Sequence, residues 1–335
     1  MKELAIVLGV AVSLALAVPA LAQAQTVIKF SHVVAPDTPK GKGSLKFKEL
    51  AEKYTNGKVK VEVYPNSQLY KDNEELQALQ LGAVQMLAPS LAKFGPLGVK
   101  EFEVFDMPYI LPDKAALRKV TDGALGKKLM GMLAPKGITG LAYWDNGFKS
   151  FSANKPLHNP EDFKGLKMRI QSSKVLDAQM RALGAIPQVM AFSEVYQGLQ
   201  TGVVDGTENP HSNLYTQKMY EVQKHMTLTD HGYLGYAVVV NKKFWDGLPG
   251  DIRAELTQAM QEATKVANEH AAKDNQDALA KVRAAGKTEV YTPTPAEKLA
   301  FKKALVPVHK QMESRIGTDV IQQIYKETGF DPSKL

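Results

Sequence analysis

At 335 residues the chain is long enough for two domains of ordinary size, and a composition 44% hydrophobic and 23% charged is that of a soluble globular protein. It contains no cysteine, which excludes disulfides, a thiolate nucleophile and a Cys-ligated metal. The formal charge of +7 is scattered, as in Lys40-Gly41-Lys42, Lys127-Lys128 and Lys302-Lys303. Without the clustered aromatic interleaving of a nucleic-acid groove, these lysines read as solvated surface with a mild bias toward anionic ligands, and no nucleic-acid partner is expected.

Lys2, the apolar run Ala5 to Val18 and the small-residue pattern Pro19-Ala20-Leu21-Ala22 read as a secretory signal over residues 1–24. An exported, cysteine-free protein of this size fits a bacterial-type periplasm. Val27 to Ser31 reads as a strand, followed by a helix with Leu45, Phe47, Leu50 and Ala51 on its apolar face that stops before Asn56-Gly57. In Lys58 to Tyr64 the valines alternate with charged residues, so the segment is a half-buried strand and the order suggests a parallel α/β layer.

A short unit then occurs twice: Leu79-Gln80-Leu81-Gly82-Ala83-Val84-Gln85 and Leu199-Gln200-Thr201-Gly202-Val203-Val204-Asp205. Each copy has an acid near the helix start (Glu75, Glu194), a Gly where the helix end requires positive φ, and a strand after it, as two similar lobes would. Between the copies Met107, Pro108 and Tyr109 read as a core-covering loop, Gly137 to Trp144 as a buried strand, and Asp145-Asn146-Gly147 as the turn that ends it. Phe148-Lys149-Ser150 continues in extended form from one lobe to the other.

Gly165 to Gln171 reads as a short strand that delivers Arg169 just before a helix opened by Ser172 and Ser173. The guanidinium fork and the first-turn N–H groups together outline a carboxylate site, the plain alternative being a surface ion pair. Farther on, Ser193 reads as a helix cap, with Phe192 exposed at a strand end. Tyr233 to Asn241 is the expected return strand. A helix from Pro249 to about Ala285, about 50 Å long at the α-helical rise, reads as a strut touching both lobes. A strand from Thr288 to Tyr291 and two helices, 295–316 and 319–328, finish the chain.

No G-x-S-x-G elbow, H-E-x-x-H pair, G-x-G-x-x-G turn or G-x-x-x-x-G-K-S/T loop is present. His225 and His231 have no Asp or Cys in register and read as scattered surface or turn histidines, so neither a metal nor a cofactor is expected. The pairs Glu74-Glu75 and Glu161-Asp162 lie at helix starts, where the dipole alone accounts for them. Glu208, in Asp205-Gly206-Thr207-Glu208-Asn209-Pro210, is either a ligand contact at a strand end or part of a loop shaped by Asn209-Pro210. What remains is a set of binding groups at strand ends, Lys149, Arg169, Phe192 and Asn209, which suits a small carboxylate and does not suit covalent turnover.

Across these segments the chain resembles the periplasmic solute-binding proteins of TRAP transporters, the DctP-like, C4-dicarboxylate-binding family. The resemblance rests on FSHVVAPDTPKG, YPNSQL, FDMPYI, DNGFKSFSANKP, GLKMRIQ and MAFSEVYQGLQTGVVDGTENP, in that order along the chain. It implies an α/β, two-lobed periplasmic-binding-protein-like fold of the type II kind, with a hinge and a long helix spanning both lobes. The expected division is 25–146 with 235–274 for the first lobe and 147–234 with 275–335 for the second.

By the same resemblance Arg169 pairs with the ligand carboxylate, Asn209 belongs to the E-N-P loop and Phe192 lines the pocket. Lys149 stands where relatives often carry arginine, which keeps the charge and loses the fork. His32, Ser90 and Tyr236 fall in segments that face the cleft. The implied partners are an organic acid, most simply malate, succinate or fumarate, and a membrane complex of a small and a large integral subunit. A monomer is the expected state. Another carboxylate (sialic, uronic, keto or aromatic), an exported hydrolase or lyase, and a sensory binding protein are the alternatives.

Overall fold

A computed structural model describes residues 25–334, so the expected signal segment, 1–24, lies outside the described residues. Among the described residues there are nine strands: β1 (Thr26–Ser31), β2 (Val59–Tyr64), β3 (Met86–Leu87), β4 (Ile138–Ala153), β5 (Lys167–Ile170), β6 (Ile186–Val189), β7 (Gly206–Asn209), β8 (His225–Asn241) and β9 (Glu289–Tyr291). They form one sheet in the order β2-β1-β3-β8-β4-β7-β5-β6, with β9 on β8.

The two halves repeat a pattern. β1 lies between β2 and β3, parallel to both, and β5 lies likewise between β6 and β7. Before β3 and β7 the helices Glu75–Gln80 and Val195–Gln200 end at Gly82 and Gly202, with φ of +77° and +74°. The duplicated sequence unit is therefore a duplicated structural one, and the chain forms a two-lobed fold with long strands β4 and β8 running antiparallel through both halves, from Ile138 opposite Asn241 to Ala153 opposite His225.

Each half has its own apolar filling. Ile28, Phe30, Phe47, Trp144 and Val238 pack together in the first, and Phe151, Phe163, Met168 and Phe301 in the second. Helix Gly250–Ala285 packs Leu256 and Ala263 into the first of these and Val282 against Phe192 and Met226 near the other end. Helices Val308–Ile316 and Thr318–Thr328 pack Val308, Val320 and Ile324 with Phe102 and Leu117.

Four local expectations change. Asp145-Asn146-Gly147 is a β-bulge inside the continuous strand β4, where the register shifts, and not a turn that ends it. The long helix holds it there: Asn268 Oδ1 accepts from the Asp145 N–H at 2.8 Å, and Asn275 Nδ2 donates to the Asn146 carbonyl at 2.8 Å. The expected helix 295–316 is two helices, Pro295–Leu305 and Val308–Ile316, because Pro307 cannot donate to the ladder. Leu45 is exposed although Phe47, Leu50 and Ala51 of its helix are buried. Ser193 lies inside a short 3-10 turn, Phe192–Glu194, and caps nothing.

Candidate functional site

Arg169 sits near the end of β5, only 2% exposed, and is anchored by its own lobe: Nε and Nη2 both donate to the Met190 carbonyl, at 3.0 and 2.9 Å. Among the described residues its Nη1 has no protein partner, and the guanidinium faces a small cavity between the halves. The fork is held at one edge by Met190, its Nη2 also lies 3.9 Å from Asp72 Oδ2 across the seam, and the remaining guanidinium N–H groups are placed to bond a carboxylate. Phe192 lies beside it, its ring centre 5.8 Å from the guanidinium carbon. Phe192 is buried, contrary to the expectation of an exposed ring, because its N–H donates to Asp72 Oδ1 at 3.0 Å and its side chain joins Val33, Val195 and Leu199.

The first half supplies the opposing wall. Lys40 is 1% exposed and not solvated surface as expected: it donates to the Ala88 carbonyl at 2.9 Å and lies 3.9 Å above the Tyr236 ring. Burial lowers its pKa to about 8. Lys93 pairs with Asp72 at 2.7 Å and reaches Ser172 Oγ at 3.3 Å. Ser90 Oγ donates to Gln171 Oε1 across the seam, and the Tyr236 hydroxyl accepts from Asn146 Nδ2 at 2.8 Å. Asn209 and Asn213 close the second side. Lys71 and Glu194, one from each repeat unit's neighbourhood, form an exposed 2.6 Å pair.

The free space among these groups is about 30 Å³, close to the volume one water molecule occupies in the liquid. The two walls are therefore nearly in contact, and a molecule larger than water fits between them only when they part. A wider groove of about 1160 Å³ runs between the long helix and residues 114–143. There Lys114, Arg118, Lys127 and Lys265 alternate with Asp122, Glu262 and Glu269 on open surface, without convergence on one point, so charge and burial favour the smaller cavity as the candidate site.

Three expected site residues lie outside that cavity. Lys149 is 1% exposed and its ammonium is spent on Glu208, 2.5 Å away. Glu208 belongs to strand β7, not a loop, and also accepts from His231 Nε2 at 2.7 Å and Gln179 Nε2 at 3.0 Å. Burial pushes the Glu208 carboxyl up, but Lys149 and the hydrogen bonds from His231 and Lys149 outweigh it and hold its pKa at about 2. His231 is no surface residue: it stacks on Phe151 with ring centres 3.7 Å apart and bonds Thr229 at 2.7 Å, and burial lowers its pKa so that it is neutral. His32 is likewise buried, bonded to Ser44 at 3.2 Å, and burial and then Lys40 lower its pKa to about 3.

The residues that sequence reasoning missed are Lys40, Asp72, Glu75 and Lys93, with Gln171 and Asn213. Glu75 is 1% exposed, so its place at a helix start does not account for it. No group of three or more His, Asp or Glu side chains placed to hold a metal ion occurs among the described residues, and no described helix is long and apolar enough to cross a membrane.

Two lobes on a shared sheet, meeting over a desolvated cationic seam, define a protein that captures a small anion by closing on it. The profile of the bacterial extracellular solute-binding protein family 7, DctP, matches residues 30–315, and the chain belongs to that family. It is similar to the C4-dicarboxylate-binding periplasmic protein DctP of Rhodobacter capsulatus, 67% identical over 324 residues that cover 97% of each chain. It also resembles a TRAP periplasmic solute-binding protein of Sulfurospirillum deleyianum solved with bound succinate, at 48% identity and a TM-score of 0.87 over 90% of this chain and 98% of that one. A third relative, from Pseudomonas aeruginosa and solved with bound L-malate, shares 46% identity and a TM-score of 0.83 over 85% of this chain and 99% of that one.

Proposed function

We propose that the protein captures a C4-dicarboxylate such as succinate or malate in the periplasm and delivers it to a TRAP membrane complex of a small and a large integral subunit, binding its ligand without turning it over. The observation that carries this reading is the buried guanidinium of Arg169 lining a seam that Lys40 and Lys93 approach from the other lobe, with Asp72 the one carboxylate within ion-pair distance of it among the described residues. Cations from both walls suit a ligand with a carboxylate at each end, and closure strengthens every pair by excluding water. The relatives solved with succinate and with L-malate support the same ligand class.

In this reading Arg169 takes one carboxylate, Asn209 and Ser90 add hydrogen bonds, and Phe192 and Tyr236 bound the carbon chain. Lys149, Glu208 and His32 act one step back: the Lys149–Glu208 pair ties β4 to β7, the strand that ends in Asn209. The lobes divide near the β4 bulge, as 25–146 with 235–274 and 147–234 with 275–335, and the helices Val308–Ile316 and Thr318–Thr328 of the second also brace the first.

The test is calorimetry of residues 25–335 with succinate, fumarate and L-malate against acetate, a sugar acid and a neutral sugar. Dicarboxylates bind, and Arg169→Ala abolishes binding while leaving the melting temperature within a few degrees; Arg169→Lys also binds at least tenfold more weakly, since a point charge makes one bond where the fork makes two. Full affinity in Arg169→Ala removes the site assignment. A thermal shift with the neutral sugar alone removes the carboxylate reading.

A further inference from the structure

Among the described residues, Glu75 is the one cavity-lining carboxyl whose oxygens both lack a partner. It begins helix Glu75–Gln80, is 1% exposed, and neither Oε1 nor Oε2 has a hydrogen bond to any described residue. A buried polar group normally has its partner within the fold, and an unpartnered one facing a ligand site points to a partner that arrives with the ligand. Asp72, three residues earlier in the same wall, shows the contrast: its oxygens are taken by Lys93 and by the Phe192 N–H.

The charges around Glu75 decide which form it takes. Facing it are Lys40 from helix Pro39–Tyr54, Lys93 from the 3-10 turn Leu91–Lys93, Asp72, the neutral phenol of Tyr236 on β8, and Arg169 across the seam. Three cations, the Asp72 carboxylate and a dianionic ligand cancel one another. An ionised Glu75 would add a buried negative charge with no counter-charge, which is costly at low dielectric. Burial pushes the Glu75 carboxyl up to about 7, with Asp72 adding to the effect and Lys40 and Lys93 opposing it, so a small further push from an anionic ligand completes its protonation.

We infer that Glu75 contacts the ligand as a neutral carboxylic acid, donating its O–H to the ligand's second carboxylate, so that closure on a dianion takes up one proton from solvent. The inference rests on the dicarboxylate reading above and assigns the recognition of the ligand's far end. The proton moves from solvent to Glu75, no covalent bond to the ligand forms, and the proton returns when the ligand leaves. Because the ligand prefers the protonated form, affinity is greatest below the free-state pKa and falls as pH rises through it, by about tenfold per unit until the bound-state pKa is reached.

The experiment is calorimetric titration with succinate at pH 7.5 in buffers of different ionisation enthalpy, which counts protons exchanged per ligand. The wild-type protein takes up most of a proton per succinate bound, more than Lys40 alone can accept at that pH. Glu75→Gln, which keeps a donor and no longer titrates, binds succinate within about fivefold of wild type and takes up no more than the roughly one quarter of a proton that Lys40 can accept at that pH. Glu75→Leu keeps the melting temperature and binds at least tenfold more weakly, a loss of affinity that a purely structural role would not produce. Succinate binding without proton uptake overturns the inference, and so does unchanged uptake in Glu75→Gln, which would assign the proton to Lys40. Unchanged affinity in Glu75→Leu also overturns it. A wild-type protein that binds no dicarboxylate overturns the function and this inference together, whereas succinate binding that Arg169→Ala abolishes but that takes up no proton overturns this inference alone.

Discussion

Replacing Glu208 with glutamine separates a structural ion pair from a ligand contact. Glu208, Lys149 and His231 are all buried, so the substitution leaves the Lys149 ammonium without its counter-charge, a defect that costs about 3–5 kcal/mol. The titration gives a second route to the size of the effect. The Glu208 carboxyl moves from an ordinary 4.5 to about 2 on folding, and at 1.36 kcal/mol per unit this is about 3 kcal/mol. Since the folded pKa is the depressed one, this stability is fully present above pH 4.5 and is lost as pH falls toward 2.

The assay is guanidinium unfolding of the wild type and Glu208→Gln at pH 7, 4 and 3. The gap is about 3 kcal/mol at pH 7, equivalent to roughly 6–12 °C in melting temperature, and narrows steadily below pH 4.5. Succinate affinity changes by less than tenfold. Lys149→Met with Glu208→Leu regains most of the loss, because removing both charges leaves none stranded. A gap independent of pH, or a variant of normal stability that no longer binds, would refute the structural role and return Lys149 to the ligand.

Asp72→Asn removes the carboxylate that Lys93 and the Phe192 N–H share across the seam; it should weaken closure by about 1–3 kcal/mol and lower succinate affinity about tenfold or more, while equal affinity and unchanged small-angle scattering with ligand would count against the seam as the closing contact. Gly202→Ala, at a φ of +74°, should cost about 1–2 kcal/mol, and Gly82→Ala at +77° should cost the same; melting temperatures unaffected in both would mean that the repeated helix ends are not conformationally constrained.

Much of the fold was readable locally. The alternation in Val59, Val61 and Val63 gave β2, and the repeated Gly82 and Gly202 units foretold two halves because helix ends announce themselves within a few residues. Arg169 was legible for the same reason, as a cation carried by a short strand into a helix start. Asp145-Asn146-Gly147 misled because the groups that flatten it into a bulge, Asn268 and Asn275, come more than 120 residues later. Lys40 and Glu75 carry no local sign of burial: a lysine in a glycine-rich first turn and an acid at a helix start look solvated until other segments cover them. His231 was misread for a related reason, since its partner Glu208 and the Phe151 ring beneath it lie on neighbouring strands.

The shared sheet constrains how such a protein can be taken apart. Strands β4 and β8 and the long helix each pass from one half to the other, so neither half is a continuous stretch of chain, and cutting between them would expose unpaired strand edges prone to association. Grafting one lobe onto a relative would need three matched junctions, two of them inside a hydrogen-bonded ladder. Changes of ligand preference are more simply made by replacing single side chains on the two facing walls, with the scaffold inherited whole.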